Sequence, residues 1–418
     1  MSKKLQSARG TKDILPEEFR QVEYVINKAK DVAATYGFES IATPTFEFTE
    51  VYKRTLGDVS DIVSKEMYCF EDRGGESITL RPEFTAGIAR AFISNGMTQN
   101  LPLKLFSTGP LFRYERPQKG RHRQFHQINF EMLGIADAEA DAEIISMASR
   151  ILEALGLSDK VTLELNSLGD KKSRDNYRTA LVEYFSSYKS KLSEDSLKRL
   201  ESNPLRILDS KDEGDKEIVT SAPLIGDYYS QDAASFFKTV CEQLDRLNVS
   251  YTVNPHLVRG LDYYCHTAFE FTTSHLGSQN AVLAGGRYDN LIEMMGGPST
   301  PAVGFAGGVE RLVALCELNI EKTRPVAVIP IGEEAEKVAL QVADSLRKSG
   351  IYTELGYSGN MSKRMKKASK INAIAAVIFG SEEVQSNQVK LKWFDSSEEQ
   401  AVSLSGAIEA INAYSSKA

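Results

Sequence analysis

Residues Arg113–Gly134 read RYERPQKGRHRQFHQINFEMLG, and this stretch decides the fold and the chemistry together. Leu103, Leu105, Leu111 and Phe112 lead into it; Phe125, Ile128, Phe130 and Leu133 lead out. Apolar runs on both sides of a loop of Arg, Lys, Gly and Pro predict two antiparallel strands joined by a long cationic hairpin loop. Its four arginines and one lysine repel one another unless a polyanion neutralises them. A solvated, charged turn is the plain alternative for any basic loop. Tyr114, Phe125 and Phe130 weigh against it, because a turn built only for solubility has no use for aromatic faces. A phenylalanine beside arginines is a platform for a purine base. With Glu115 and Glu131 among the cations, the hairpin reads as a site for a phosphate and an amine together.

The rest of the chain sets the bounds. Its 418 residues are 42% hydrophobic and 26% charged, as in ordinary soluble proteins, and the length predicts two or three domains. A formal net charge of −7 excludes a histone-like coating role, so any nucleic acid must meet local basic patches. Cys69, Cys241, Cys265 and Cys316 are far apart and fit no metal or redox spacing, which suits reduced thiols in the cytoplasm. The start, MSKKLQSARGTKDILP, has no apolar core of signal-peptide length, and no other run approaches a membrane span.

Periodicity orders the remaining segments. Phe19, Val22, Val25, Ile26, Ala29, Val32 and Ala33 recur at helical spacing up to a stop at Gly37. Phe38–Phe48 reads as one strand interrupted at Pro44. Met67–Phe70 and Ser77–Leu80 read as a hairpin around Gly74-Gly75, and Pro82 as the opening of a helix to about Asn95. Asp137–Leu155 is a predicted helix and Val161–Leu165 a predicted strand. Residues 170–225, rich in Ser, Lys, Asp and Glu, read as a helical insertion. Strands then resume at Tyr251, Leu257 and Ala268–Thr272. Ala284–Tyr288 reads as a Gly-rich turn, and Val303–Leu315 as strand into helix. Beyond the linker Thr323–Pro325, alternating strands (326–331, 351–355, 373–379, 389–394) and helices (333–349, 361–370, 398–414) predict a separate α/β domain.

Three more segments carry chemistry. Leu80–Ala86 (LRPEFTA) sets Glu83 and Thr85 at a helix start, where an acid caps the helix or receives a ligand ammonium. Leu257–Tyr264 (LVRGLDYY) places Arg259 beside Gly260, ahead of Tyr263 and Tyr264; an Arg–Asp pair within a sheet is the alternative. Gly304–Arg311 (GFAGGVER) puts small residues on a strand and Arg311 in the first turns of a helix. There a flat ligand can lie on bare backbone while the guanidinium forks onto phosphate oxygens.

In this order, the segments resemble the class II aminoacyl-tRNA synthetases, and among them the histidyl-tRNA synthetases. Gly37-x-x-x-Ile41-x-x-Pro44 is similar to the first class motif, Arg113-Tyr-Glu115 through Phe125 to Glu131 to the second, and Gly304–Arg311 to the third. LVRGLDYY (257–264) and Ala284–Asp289 (AGGRYD) resemble segments peculiar to the histidine enzymes, as do Ala8–Asp13 and Asn203–Asp209. The likeness runs nearly end to end.

The resemblance implies an α+β fold: a class II antiparallel sheet flanked by helices in residues 1–322, with the insertion near 170–225, then an α/β anticodon-binding domain over 325–418. It implies activation of L-histidine by ATP with Mg²⁺, transfer to tRNA(His), and a homodimer built through the first motif. Arg113 would grip the α-phosphate and Arg311 the γ-phosphate; Phe125 would stack on adenine, with Glu115 also at the nucleotide. Arg259 would stabilise the pentavalent α-phosphoryl centre, as a catalytic group with Arg113. Glu83, Thr85 and Gln127 would hold the substrate ammonium, Glu131 and Tyr264 the imidazole, and Tyr263 and Tyr288 would line that pocket. The histidine set thus includes Arg113 and Arg259. Arg116 and Gln118 in the loop are expected at the acceptor end of the tRNA.

Other readings are kept in view. A synthetase-like regulatory subunit of ATP phosphoribosyltransferase binds histidine without charging tRNA, but such a chain can lose the arginine clamp and normally lacks the C-terminal domain. Synthetases for threonine, proline or glycine share the class motifs but not LVRGLDYY. His275–Ser278 and Asn360–Arg364 mimic class I signatures without the nucleotide-binding strand that would accompany them. Met361–Lys370 reads as a basic helix facing tRNA phosphates, with a solvated face as the alternative. His122 and His126 stand at metal-ligand spacing, yet Arg121 and Arg123 would repel a dication, and no metal site is predicted. Cys265-His266 departs from the small residues usual in the family.

Overall fold

From Ile128 on, alternate residues of the hairpin's returning strand (Ile128, Phe130 and Met132) are apolar and buried, and that alternation organises a whole sheet. The computed structural model describes residues 4–56, 62–116, 121–261, 263–276, 281–320 and 322–415. It contains two compact units, Met1–Asn319 and Ile320–Ala418. Strands of the first unit are β1 (Glu39–Ser40), β2 (Phe46–Phe48), β3 (Tyr68–Glu71), β4 (Ser77–Leu80), β5 (Leu103–Phe112), β6 (Gln124–Leu133), β7 (Thr162–Ser167), β8 (Thr252–Val253), β9 (Cys265–Thr272), β10 (Ala281–Arg287) and β11 (Ala302–Gly308). Eight of them form one sheet in the order β1-β5-β6-β11-β10-β9-β7-β8, while β2-β4-β3 form a small second sheet. The six central strands, β5 to β7 in that order, are antiparallel; short β1 and β8 add parallel edges.

One face of the large sheet is the core. Phe106, Phe130, Phe305 and Phe269 stack across four strands, with centroids 5.0, 4.8 and 6.2 Å apart in succession. Helices Pro16–Thr35, Ala138–Ala154, Gln231–Arg246 and Val309–Cys316 cover them through Val25, Ile144, Val240 and Leu312. Arg287 is wholly buried at the end of β10 and would be costly alone. It is neutralised by Asp141 and Asp289, and its remaining donors reach the carbonyls of Ile135 and Asp137.

Several local expectations are corrected. Ala284–Tyr288 is not a turn: its glycines lie in β10 because a Cβ on Gly285 would stand 2.2 Å from the Gly304 carbonyl oxygen. The helix expected from Pro82 begins at Thr85, since the Arg81 carbonyl accepts the Phe112 amide and the Pro82 carbonyl the Arg113 guanidinium. Phe38–Phe48 is two short strands in different sheets, and Leu257 lies in a loop. Helix Gln231–Arg246, capped by Ser230, lies where no element was assigned. The insertion is helical, over Lys171–Ser186, Glu194–Ser202 and Glu213–Val219.

The second unit holds β12 (Val326–Pro330), β13 (Thr353–Leu355), β14 (Ala375–Phe379), β15 (Gln388–Trp393) and β16 (Glu399–Ser403), ordered β13-β12-β14-β15-β16. The helix expected over 398–414 is instead β16 followed by helix Leu404–Ser415. Val402 opposite Val389 and Glu399 opposite Lys392 favour the cross-strand pairing.

Candidate active site

The face of the sheet opposite the phenylalanine stack is bare at its centre. Register sets Glu131 opposite Gly304, Asn129 opposite Ala306 and Gln127 opposite Gly308; Ala306 in turn opposes Ala284, and Ala284 opposes Glu270. Side chains at directly opposed positions share a face. The floor is therefore glycine and alanine, walled by Phe125, Gln127, Asn129 and Glu131 on one side and Glu270 on the other.

A cavity of about 180 Å³ opens on this floor. Arg113, Glu115, Phe125, Gln127 and Arg311 all line it, with Arg121, His122 and Glu310. Arg113 donates from Nε to the Pro82 carbonyl at 2.9 Å, and its guanidinium lies 5.3 Å from the Phe125 ring centroid. Glu115 pairs with Arg121 at 2.6 Å. Burial lowers the Arg311 guanidinium pKa, Arg121 lowers it further, and Glu270 opposes both. Two cations crowded in a half-buried hollow are what an incoming phosphate would relieve. A larger hollow of about 460 Å³ lies among Tyr36, Glu143, Arg150 and Arg246 and has none of this chemistry.

Beside the cavity lies a buried polar cluster centred on Glu131. Thr85 Oγ1 donates to its Oε1 at 2.5 Å, Asn129 Nδ2 to the same oxygen at 3.1 Å, and the Tyr288 hydroxyl to Oε2. A carboxylate accepts roughly four hydrogen bonds, so these three donors leave room for one more, such as an imidazole N–H. Burial pushes the Glu131 carboxyl up to about 7, although its three donors pull it down. A ligand N–H must meet the ionised form. Histidine kcat/KM is therefore expected to rise with pH to a plateau above about 7. Glu131→Gln should remove that limb and leave only the substrate's own ionisation; a wild-type profile in that variant would exclude the role.

Glu83 was open between cap and ligand, and in the ligand-free chain it caps. Its two oxygens accept the Thr85 and Ala86 amides at 2.5 and 2.8 Å. Tyr263, Tyr264 and Tyr288 form an aromatic wall: Tyr263 and Tyr264 have centroids 4.6 Å apart, and Tyr288 packs edge-on at 5.6 and 6.3 Å. Burial raises the pKa of all three phenols, so they stay neutral donors.

Arg259 differs from the expectation in one respect. It lines not the Arg113–Arg311 cavity but a neighbouring hollow of about 320 Å³, with Tyr263 and Tyr264. Its guanidinium pairs with Glu270 and lies 5.4 Å from the Tyr264 centroid. Burial alone would lower the Arg259 pKa, but Glu270 and the tyrosines reverse that and hold it above its ordinary value. Glu270 joins the two hollows, since its charge acts on both Arg259 and Arg311.

Sequence reasoning missed Asn129, Glu270 and Glu310. Alternation from Phe125 would have put Asn129 on the Glu131 face. Glu310 accepts the His126 amide at 3.0 Å and pairs with Nδ1 at 2.8 Å, so His126 is tied to the helix bearing Arg311. Nothing local to Glu270 distinguishes it, since its partner comes from a loop. His266 has a left-handed backbone (φ 44°) and packs on Phe236, away from the tyrosine wall. Arg116 is exposed, and Gln118 lies outside the described residues. In the class I look-alike, Asn360 caps helix Met361–Lys370, and buried Arg364 bonds Pro330 and Glu336; Gly277 and Ser278 lie outside the described residues.

A helix-backed antiparallel sheet with two arginines over a glycine floor defines a class II aminoacyl-tRNA synthetase. A histidyl-tRNA synthetase family model matches residues 10–312, and an anticodon-binding domain model matches 325–414. The chain belongs to the histidyl-tRNA synthetase family. It is 54% identical over 406 residues to a histidine–tRNA ligase of Wolbachia pipientis wMel, covering 97% of this chain and 99% of the relative. The structure of apo S. aureus histidyl-tRNA synthetase superposes with a TM-score of 0.83 at 32% identity, covering 97% and 99% of the two chains. A Bacillus halodurans protein described as an ATP phosphoribosyltransferase regulatory subunit/histidyl-tRNA synthetase shares the fold at 23% identity, with a TM-score of 0.65 over 90% and 98%.

Proposed function

We propose that this site carries out both halves of the histidine–tRNA ligase reaction. ATP and L-histidine give histidyl-adenylate and pyrophosphate, and the histidyl group then passes to the 3′ end of tRNA(His). The observation that carries the reading is Glu131, a buried carboxylate with one acceptor position left, walled by tyrosines and next to a cationic cavity over a glycine floor. Phe125 stacks on adenine and Arg113 grips the α-phosphate, with Glu115 also at the nucleotide, and Arg311 takes the γ-phosphate. Histidine's carboxylate attacks the α-phosphorus while Arg113 and Arg259 meet the charge that builds there. Gln127, Thr85 and Glu83 face the ammonium, and Glu131 and Tyr264 the imidazole, with Tyr263 and Tyr288 as walls.

Every carboxylate described at the floor already has a partner, Glu115 with Arg121, Glu270 with Arg259 and Glu310 with His126. That donor set fits Mg²⁺ arriving on the triphosphate rather than in a protein cage, and no step here is routed through it. Residues 1–322 would form the catalytic domain and 325–418 the anticodon-binding domain. On helix Met361–Lys370, Lys363, Lys366, Lys367 and Lys370 are exposed while Arg364 and Ala368 are buried, which suits RNA phosphates. Phe46, Phe48 and Phe70, all about half exposed, support a homodimer through the small sheet. No helix among the described residues is long and apolar enough to cross a membrane.

The regulatory-subunit alternative predicts histidine binding without turnover. ATP–pyrophosphate exchange with each amino acid, followed by tRNA charging, decides between them. Exchange dependent on histidine alone, and charging of tRNA(His), are expected; binding without exchange would favour the regulatory reading.

A further inference from the structure

The described residues of 255–264, between β8 and β9, carry Arg259, Tyr263 and Tyr264 and belong to no strand. Such a loop must be held by packing or by hydrogen bonds to its main chain. Packing does not hold it at Gly260, where a Cβ would meet nothing within 4 Å. Its carbonyls do find donors. Asn166 Nδ2 reaches the Leu257 carbonyl at 2.9 Å, Arg206 Nη2 donates to the Gly260 carbonyl, and Arg174 Nη1 to the Tyr264 carbonyl.

Two of these three donors belong to the insertion, and they grip the residues immediately after Arg259 and Tyr263. Both arise from anchored structure. Arg174 is in the first turn of helix Lys171–Ser186, which Asp170 caps and which buries Tyr177, Leu181 and Phe185. Arg206 is in the short turn Pro204–Ile207, where the Asn203 side chain accepts the Leu205 amide. Together with Arg259, Tyr263 and Tyr264, the two arginines line the 320 Å³ hollow between insertion and loop.

We propose that Arg174 and Arg206 are positioning residues, through which the insertion fixes the loop bearing Arg259 and the tyrosine wall. The inference rests on the reading that this loop works on histidine and the α-phosphate. A guanidinium fixed to a carbonyl sets backbone position without competing for the substrate. Small displacements of such a loop carry large kinetic penalties, about a hundredfold per ångström in oriented sites.

The test is Arg174→Met and Arg206→Met, singly and together, in the full chain. ATP–pyrophosphate exchange is normalised to active sites counted by the burst of adenylate formed. The double variant should lose about tenfold or more in kcat per active site and raise the histidine KM, with ATP KM unchanged. Loss of folding alone would lower the active fraction and leave both KM values untouched. Arg206→Lys, which keeps a charged N–H donor within reach of the carbonyl, should recover part of the rate. If the double variant has wild-type kcat per active site and histidine KM while Arg259→His is slow, the positioning role is wrong. If Arg259→His is equally silent, the reading of the loop falls with it.

Discussion

Gly304→Ala should lose histidine-dependent pyrophosphate exchange by about three orders of magnitude, the scale of two lost hydrogen bonds to a charged group. The cause is distance. A Cβ at position 304 would stand 1.6 Å from Glu131 Oε2, 2.6 Å from its carboxyl carbon and 2.7 Å from the Phe130 carbonyl oxygen. β11 lies between β6 and β10 and cannot retreat from both. The carboxylate must swing out, abandoning Thr85, Asn129 and Tyr288 and the one acceptor position left for substrate. Hydrogen bonds to a charged group contribute about 1.5–3 kcal/mol each, so breaking two of the three suffices for the loss. Gly304→Ala with Glu131→Ala relieves the overlap with the carboxylate and leaves only the 2.7 Å approach to the Phe130 carbonyl oxygen; it should bind ATP and be no less active than the single variant, because both changes destroy one interaction. Near-normal histidine kcat/KM in Gly304→Ala would mean that Glu131 does not read the substrate.

Arg259→His should leave ATP binding intact and slow adenylate formation by about 2.7 kcal/mol or more, the scale of one lost oxyanion contact. A second consequence follows from the partner. Glu270 is paired with Arg259 at side-chain exposures of 20% and 14%, and burial already raises its pKa. Removing the arginine strands a carboxylate between β7 and β10, at a cost of about 3–5 kcal/mol when such a pair is broken from one side. The single variant should therefore be less stable as well as slow. Arg259→His with Glu270→Gln should recover melting temperature but not exchange rate. Single-turnover adenylate formation at saturating ATP separates the two effects. Wild-type rates in either variant would exclude Arg259 from the transition state.

Much of this was readable in the chain. The apolar alternation around Arg113–Gly134 gave the central hairpin, because a period of two admits only one face as core. Resemblance to the class motifs pointed to candidate nucleotide and histidine residues, of which Arg113, Phe125 and Arg311 line one cavity. Errors fell where local signals mean two things. Glycines at 285 and 286 read as punctuation, but they lie in a strand whose neighbours leave no room for a Cβ. Val402 and its neighbours read as helix, and a cross-strand partner at Val389 outweighed that propensity.

By itself, then, the sequence determined the two hairpins at 67–80 and 103–133, the apolar faces of the main helices, and which residue types are available to hold a triphosphate and an imidazole. Those follow from periodicity and charge within short segments. Only the tertiary structure decided that Glu131 needs a glycine opposite it, that Glu270 is the counter-ion of Arg259, and that the insertion reaches the loop bearing Arg259 through Arg174 and Arg206. Each of these joins groups distant in sequence or on different strands, and their energies depend on burial and on ångström distances that no local pattern encodes.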